Sequence, residues 1–152
     1  MTRSFTRRAF LRVALMSGAA VGCSPTLTPP PVKTAGPASG TRFRLEGDSV
    51  TYQPHPRGCE QTTIRGSARA ADGSPQPGLS IRVWEEDPAQ AIVIVTDAEG
   101  NYAYDVSAGL TDKTFRVQVL DSAGAPISDV IVAAAIPDCA FNSMTVNFVA
   151  GP

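Results

Sequence analysis

Thr96-Asp97-Ala98-Glu99-Gly100-Asn101-Tyr102 separates two apolar runs, and the folded part of the chain reads outward from it. On its N-terminal side lies Ala91-Ile92-Val93-Ile94-Val95, which is mostly β-branched. On its C-terminal side Tyr102, Tyr104 and Val106 recur at a spacing of two. Residues of these types at that period fit a pleated strand with one buried face. Asp and Asn bond to nearby backbone N–H groups, and Gly takes up positive φ without a Cβ penalty. The stretch therefore predicts a β-hairpin, with strands Ala91–Val95 and Tyr102–Val106 paired across one turn.

The same two signals, alternation and turn chemistry, recur in both directions. Toward the N-terminus, Leu79, Ile81 and Val83 alternate with Ser80, Arg82 and Trp84, and Glu85-Glu86-Asp87-Pro88 ends that strand. Thr62 to Ala70 is a further strand, closed by Ala71-Asp72-Gly73-Ser74-Pro75. Thr41 to Gln53 reads as one first strand, with Phe43, Leu45, Val50 and Tyr52 as its apolar positions. Toward the C-terminus, Phe115, Val117 and Val119 alternate with Arg116 and Gln118, and Asp121 to Pro126 turns the chain. Val130 to Ala135 follows, where Ala133-Ala134-Ala135 implies close approach of a neighbour, and Met144, Val146 and Phe148 give the last strand. No twelve-residue window after residue 23 carries a helical period. Short strands punctuated in this way predict an all-β fold, a seven- to eight-stranded β-sandwich over residues 42–150.

Composition agrees: 13 Gly and 13 Pro in 152 residues supply many turns, and 43% apolar residues supply a core. Charge is unevenly placed. Arg3, Arg7, Arg8 and Arg12 are the only charges before residue 23, and beyond them nine basic side chains face fourteen acidic ones, a net of −5. An acidic body is unsuited to nucleic acid, which is held by Lys and Arg on phosphates.

Residues 1–22 are organised differently. Thr6-Arg7-Arg8-Ala9-Phe10-Leu11-Arg12 precedes ten uncharged residues, Val13 to Gly22. A helix of that length covers about 15 Å, half of a bilayer core of about 30 Å, so it is a signal-type apolar region and too short to span. It resembles a twin-arginine export signal, with Arg7 and Arg8 as the paired arginines. Ala19-Ala20-Val21-Gly22-Cys23 resembles a bacterial lipobox, which implies a diacylglyceryl group on Cys23 as the mature N-terminus. Two or more acyl chains hold a protein stably on a membrane. An ordinary cleaved signal, with Cys23 a bystander, is the alternative. The 17 residues Ser24 to Gly40 include Pro25, Pro29, Pro30, Pro31 and Pro37 and have no apolar period. They read, as part of segment 23–41, as a spacer with a reach of at most about 50 Å.

Setting Cys23 aside leaves Cys59 and Cys139. In an oxidising compartment outside the cytoplasm these two are expected to form a disulfide, each lying just before a strand. Only His55 lies near Cys59, and one Cys with one His falls short of a zinc ligand set.

The order Ile64-Arg65-Gly66-Ser67-Ala68, Asp72-Gly73-Ser74-Pro75, Pro77 to Trp84 and Thr96 to Tyr102 resembles the carboxypeptidase regulatory-like domains. That resemblance covers about residues 62–120 and implies a transthyretin-like sandwich acting as a structural or binding accessory. Intradiol ring-cleaving dioxygenases share the pattern. Their ferric iron uses two Tyr and two His, whereas this chain has one His and three Tyr and lacks a Tyr in Glu85 to Gln90.

Other chemistry is thin. Asp97, Glu99 and Asn101 are too few oxygens alone for Ca²⁺. Glu85-Glu86-Asp87 sits at a strand end, as a solvated turn does. A Ser-His-Asp triad would have to use His55, flanked by Pro54 and Pro56. An internal isopeptide bond would have to use Lys33 or Lys113, the only lysines. Trp84 could stack on a sugar or peptide if exposed. The sequence thus predicts a non-enzymatic lipoprotein, without cofactor or metal, held at the cell membrane through Cys23. It would present its sandwich outside the cytoplasm to a protein or glycan, or serve as a structural module. An accessory subunit of an exported enzyme, or a degenerate dioxygenase-like protein without iron, are the alternatives.

Overall fold

A computed structural model of the chain describes residue 40 and residues 42–151. The export signal at Arg7 and Arg8, the lipobox at Cys23 and the spacer up to residue 39 lie outside the described residues. Ten short strands follow one another: β1 (Phe43–Leu45), β2 (Thr51–Gln53), β3 (Gln61–Arg69), β4 (Ser80–Trp84), β5 (Ile92–Val95), β6 (Asn101–Ala108), β7 (Thr114–Leu120), β8 (Ile131–Ala134), β9 (Ser143–Thr145) and β10 (Phe148–Ala150). Among the described residues the only helical elements are three single 3-10 turns.

The strands form two sheets. One has the order β1-β10-β3-β9-β2 with β6 also on β3, and the other the order β5-β4-β7-β8. Two of the eight expected strands are each interrupted, which gives ten segments. The expected first strand, Thr41 to Gln53, is broken by a 3-10 turn at Glu46–Asp48 in which Gly47 has φ +72°. Its halves pair antiparallel with the two halves of the last strand, β1 with β10 and β2 with β9. Four strand positions therefore face four, and the all-β sandwich read from the sequence is the observed fold.

The expected hairpin is not formed. The turn is there, but β5 pairs with β4 in one sheet and β6 pairs with β3 in the other. Residues Thr96 to Gly100 carry the chain from sheet to sheet. Thr96 is buried; its Oγ1 donates to the Gln76 carbonyl at 2.7 Å and accepts from the Leu79 N–H at 2.9 Å. At the other end the Gly100 carbonyl accepts from the Ala68 N–H at 2.8 Å. Both ends of the turn are thus held by different strands, and its own flanks diverge.

One five-residue loop is used three times. In Asp97–Asn101 and Asp121–Ala125 the first N–H reaches the fifth carbonyl at 2.9 Å, and the Gly N–H reaches the Asp carbonyl at 3.0 Å. The Asp Oδ1 accepts from the third and fifth N–H groups of each loop. Ala70–Ser74 repeats the backbone pattern, with Asp72 supporting it from the middle. The Ser74 hydroxyl and N–H hold the Asp72 carboxyl below the usual carboxylate range.

Between the sheets Ile64, Ile81, Val117, Val119, Met144, Val146 and Phe148 are fully buried. Each such side chain contributes about 1.5–3 kcal/mol. In the run Ala133-Ala134-Ala135, Ala133 and Ala135 face the core, and the Ala134 carbonyl accepts from the Tyr52 hydroxyl at 2.9 Å.

Candidate functional site

A shallow cleft of about 910 Å³ lies over β3, β6 and β9, runs along the β6 edge and reaches Ile94 and Val95 of β5. Alternation sends Thr63 and Arg65 of β3 to this outer face while Ile64 goes inward. Asp105 of β6, opposite Thr63 in register, is its organising group. Its Oδ1 accepts from Thr63 Oγ1 at 2.6 Å, and its Oδ2 accepts from Arg57 Nη2 at 3.1 Å. His55 stands beside Arg57, with Nδ1 accepting from the Arg57 N–H at 3.1 Å. That bond leaves the other ring nitrogen to carry the proton of a neutral imidazole. Arg65, Thr145 and Asn147 complete the wall. These groups can hydrogen-bond a hydroxyl- or carboxylate-bearing ligand.

The loop that carries His55 and Arg57 is fixed from below by Asn142, which is completely buried. Its Oδ1 accepts from the His55 N–H at 2.8 Å, and its Nδ2 donates to the Gly58 and Gln61 carbonyls at 2.6 and 2.8 Å. The Cys59–Cys139 disulfide closes the same corner, with Cα atoms 4.8 Å apart at a sequence separation of 80. The expected pairing of these two cysteines is therefore the observed one. Cys59 and Cys139 each stand four residues before Thr63 and Ser143, which are register partners in the parallel pair β3–β9. The bridge continues that register beyond the strand ends.

A second device sits under the cleft. Gly66 lies beside Val146, where β9 ends and before β10 begins. A regular parallel ladder would send the Ser67 N–H to the Val146 carbonyl. Here the Ser67 N–H goes instead to Asn147 Oδ1 at 3.0 Å, and the Val146 carbonyl accepts from the buried Tyr102 hydroxyl at 2.5 Å. Burial pushes the Tyr102 phenol well above its usual range. The folded chain keeps this proton where the unfolded chain releases it, from about pH 10 upward. Stability from this group is therefore complete below about pH 10 and falls above it, by up to about 1.4 kcal/mol per pH unit. Tyr102→Phe is expected to cost about 1 kcal/mol at neutral pH and to lose that alkaline slope. Urea unfolding at pH 7 and pH 11 measures both, and equal slopes in the two proteins would refute the assignment.

The remaining sequence candidates fall elsewhere. Trp84 is only 7% exposed, and the Arg82 guanidinium lies over its ring, 4.8 Å from the centroid. Asp97 uses its carboxylate to cap its own loop, as the turn reading expects. Glu85 is paired with Lys113 at 2.9 Å. Among the described residues no three His, Cys, Asp or Glu side chains gather as a metal site. Sequence reading missed Asp105, Asn142 and Asn147. An Asn or Asp in a strand or beside one is an uncommon choice, and that was the available signal.

The fold and this corner define a class: a disulfide-bridged β-sandwich with an outer polar cleft. No protein-family model matches the chain, and no curated protein does. Among solved structures, chlorocatechol 1,2-dioxygenase from Pseudomonas putida is similar at 16% identity and TM-score 0.40, with 60% of each chain covered. A C-terminal fragment of pilus adhesin SpaC from Lactobacillus rhamnosus GG is similar at 10% identity and TM-score 0.40, with 60% of this chain and 45% of that chain covered. The matched region thus spans less than two thirds of either protein's length.

Proposed function

We propose that this chain is a non-catalytic lipoprotein. Cys23 carries the lipid, residues 24–40 space the domain from the membrane, and the sandwich acts outside the cytoplasm as a binding or structural module. In this reading Arg7 and Arg8 direct export through the twin-arginine route, and the domain is of the carboxypeptidase regulatory-like kind.

The observation that carries the reading is the Cys59–Cys139 disulfide, because such bonds persist in oxidising compartments and are rare in the cytosol. The run from Arg7 to Cys23 supplies a route to such a compartment and an anchor there. The side chains of the cleft support binding over turnover: Asp105 is committed to Thr63 and Arg57, and His55 to the backbone of its own loop.

Intact mass spectrometry of the native protein, with and without reduction, tests this directly. The expected species begins at Cys23, carries diacylglyceryl mass, and gains the mass of two hydrogen atoms on reduction. A chain that retains residues 1–22, or an unlipidated Cys23, would overturn it.

A further inference from the structure

Among the described residues β5 is paired on one side only, by β4. Its sequence is Ile-Val-Ile-Val, and Val93 and Val95 are 56% and 59% exposed. Natural sheets guard their edges with charges, prolines, bulges or covering groups. Two other edge strands, β6 and β8, are guarded. β6 has a register shift opposite Thr62 and Thr63 and the Arg57–Asp105 ion pair, and at β8 the Ala134 carbonyl is taken by Tyr52. The four residues of β5 include no charge, proline or bulge, and its open backbone can accept another strand.

Beside this edge, between the two sheets, lies a slot of about 150 Å³. Val83, Ile92, Tyr104, Val106 and Phe115 line it with Trp84, and Glu85 and Gln90 are its polar residues. A cavity of this size accommodates one phenyl or aliphatic side chain. Glu85 and Gln90 also line an adjoining cleft with Glu86, Asp87 and Lys113. Acidic side chains therefore stand at the start of β5, and exposed Asp97 and Glu99 stand at its end. At the start of β5, Lys113 pairs with Glu85, Arg116 with the Glu85 carbonyl, and Arg82 with Gln118 and the Trp84 ring.

This charge pattern selects the occupant. A second copy of the chain, paired edge to edge, would bring acidic end to acidic end in either strand direction. A strand with basic ends would meet opposite charge at both. We propose that the free edge of β5 takes up an extended segment of a partner protein by strand addition, apolar at its centre, with one side chain in the slot and Lys or Arg at both ends. The proposal deepens the binding role given above and rests on it.

The test uses the full chain and a synthetic nonapeptide, Lys-Lys-Val-Thr-Phe-Thr-Val-Lys-Lys, with a counterpart carrying Glu at its four terminal positions. Trp84 is the only Trp and borders the slot, so its fluorescence is one readout of binding at this edge, beside hydrogen exchange. The basic peptide is expected to bind about tenfold or more tightly than the acidic one and to slow hydrogen exchange in Ile92–Val95. The exposed double variant Glu86→Lys/Glu99→Lys is expected to reverse the preference while keeping the fold. Absence of binding by the basic peptide, equal binding of both peptides, or protection confined to other strands would overturn the proposal. Protection of β5 in the free chain that grows with its concentration would also overturn it and give the edge to a second copy. Lipid on Cys23 is measured separately, so either proposal can fail without the other.

Discussion

Gly66→Ala is expected to lower the stability of the sandwich by about 3 kcal/mol or more. A Cβ at Gly66 would lie 1.9 Å from the Val146 carbonyl oxygen and 2.9 Å from the Tyr102 hydroxyl. The obstacle is backbone held from both sides, so no side-chain rotation relieves it. The Val146 N–H donates to the Arg65 carbonyl at 2.8 Å, and the Val146 carbonyl is gripped by Tyr102. Making room means pushing the last strand away from β3 or ejecting Tyr102 from the core. Either move strands a buried hydroxyl or carbonyl in addition to the packing loss. Urea unfolding of wild type and variant reads the difference as a shift in midpoint at constant slope. A variant within about 1 kcal/mol of wild type would mean that the backbone at Val146 yields, against the geometry described.

The second large effect concerns the corner at the start of β3 and β9. Replacing both Cys59 and Cys139 with Ala is expected to cost about 4.5 kcal/mol, the chain-entropy value for a closed loop of about 80 residues. The native fold is expected to survive at low denaturant, because Asn142 still joins His55, Gly58 and Gln61 to β9. The loss should therefore act mainly through the unfolded chain, which gains freedom when the bridge is absent. Unfolding of the oxidised and reduced wild type beside the double variant checks this. Reduced wild type and variant should coincide, well below the oxidised protein. Coincidence of all three would show that the bridge adds nothing to stability.

The two predictions concern one structural unit. β3 and the last strand run parallel with a constant offset of 80 residues, from the disulfide through Thr63–Ser143 to Phe148–Ala68. Parallel neighbours so distant in sequence have no turn to fix their register. Here the bridge sets it at one end, and Gly66 with Tyr102 locks it in the middle. The polar cleft rests on this pair, since Thr63 and Arg65 come from β3 and Thr145 and Asn147 from the other side.

The sequence by itself determined which residues form strands, which face of most strands is buried, and where the chain turns. Alternation at Leu79–Val83 and Phe115–Val119, and the Asp–Gly loops at Asp97 and Asp121, are local signals, and short-range chemistry carries them. The pairing of Cys59 with Cys139 was legible because two cysteines remained for one bridge. Only the tertiary structure decided which strands pair. The runs flanking Thr96–Tyr102 read as a hairpin because adjacency favours it, yet Thr96 is held by Leu79 and Gly100 by Ala68, in opposite sheets. The same holds for the breaks at Glu46–Asp48 and Val146–Asn147, and for Asp105 and Asn142. Their roles depend on partners 42 to 87 residues away, and no local pattern encodes a register set at that distance.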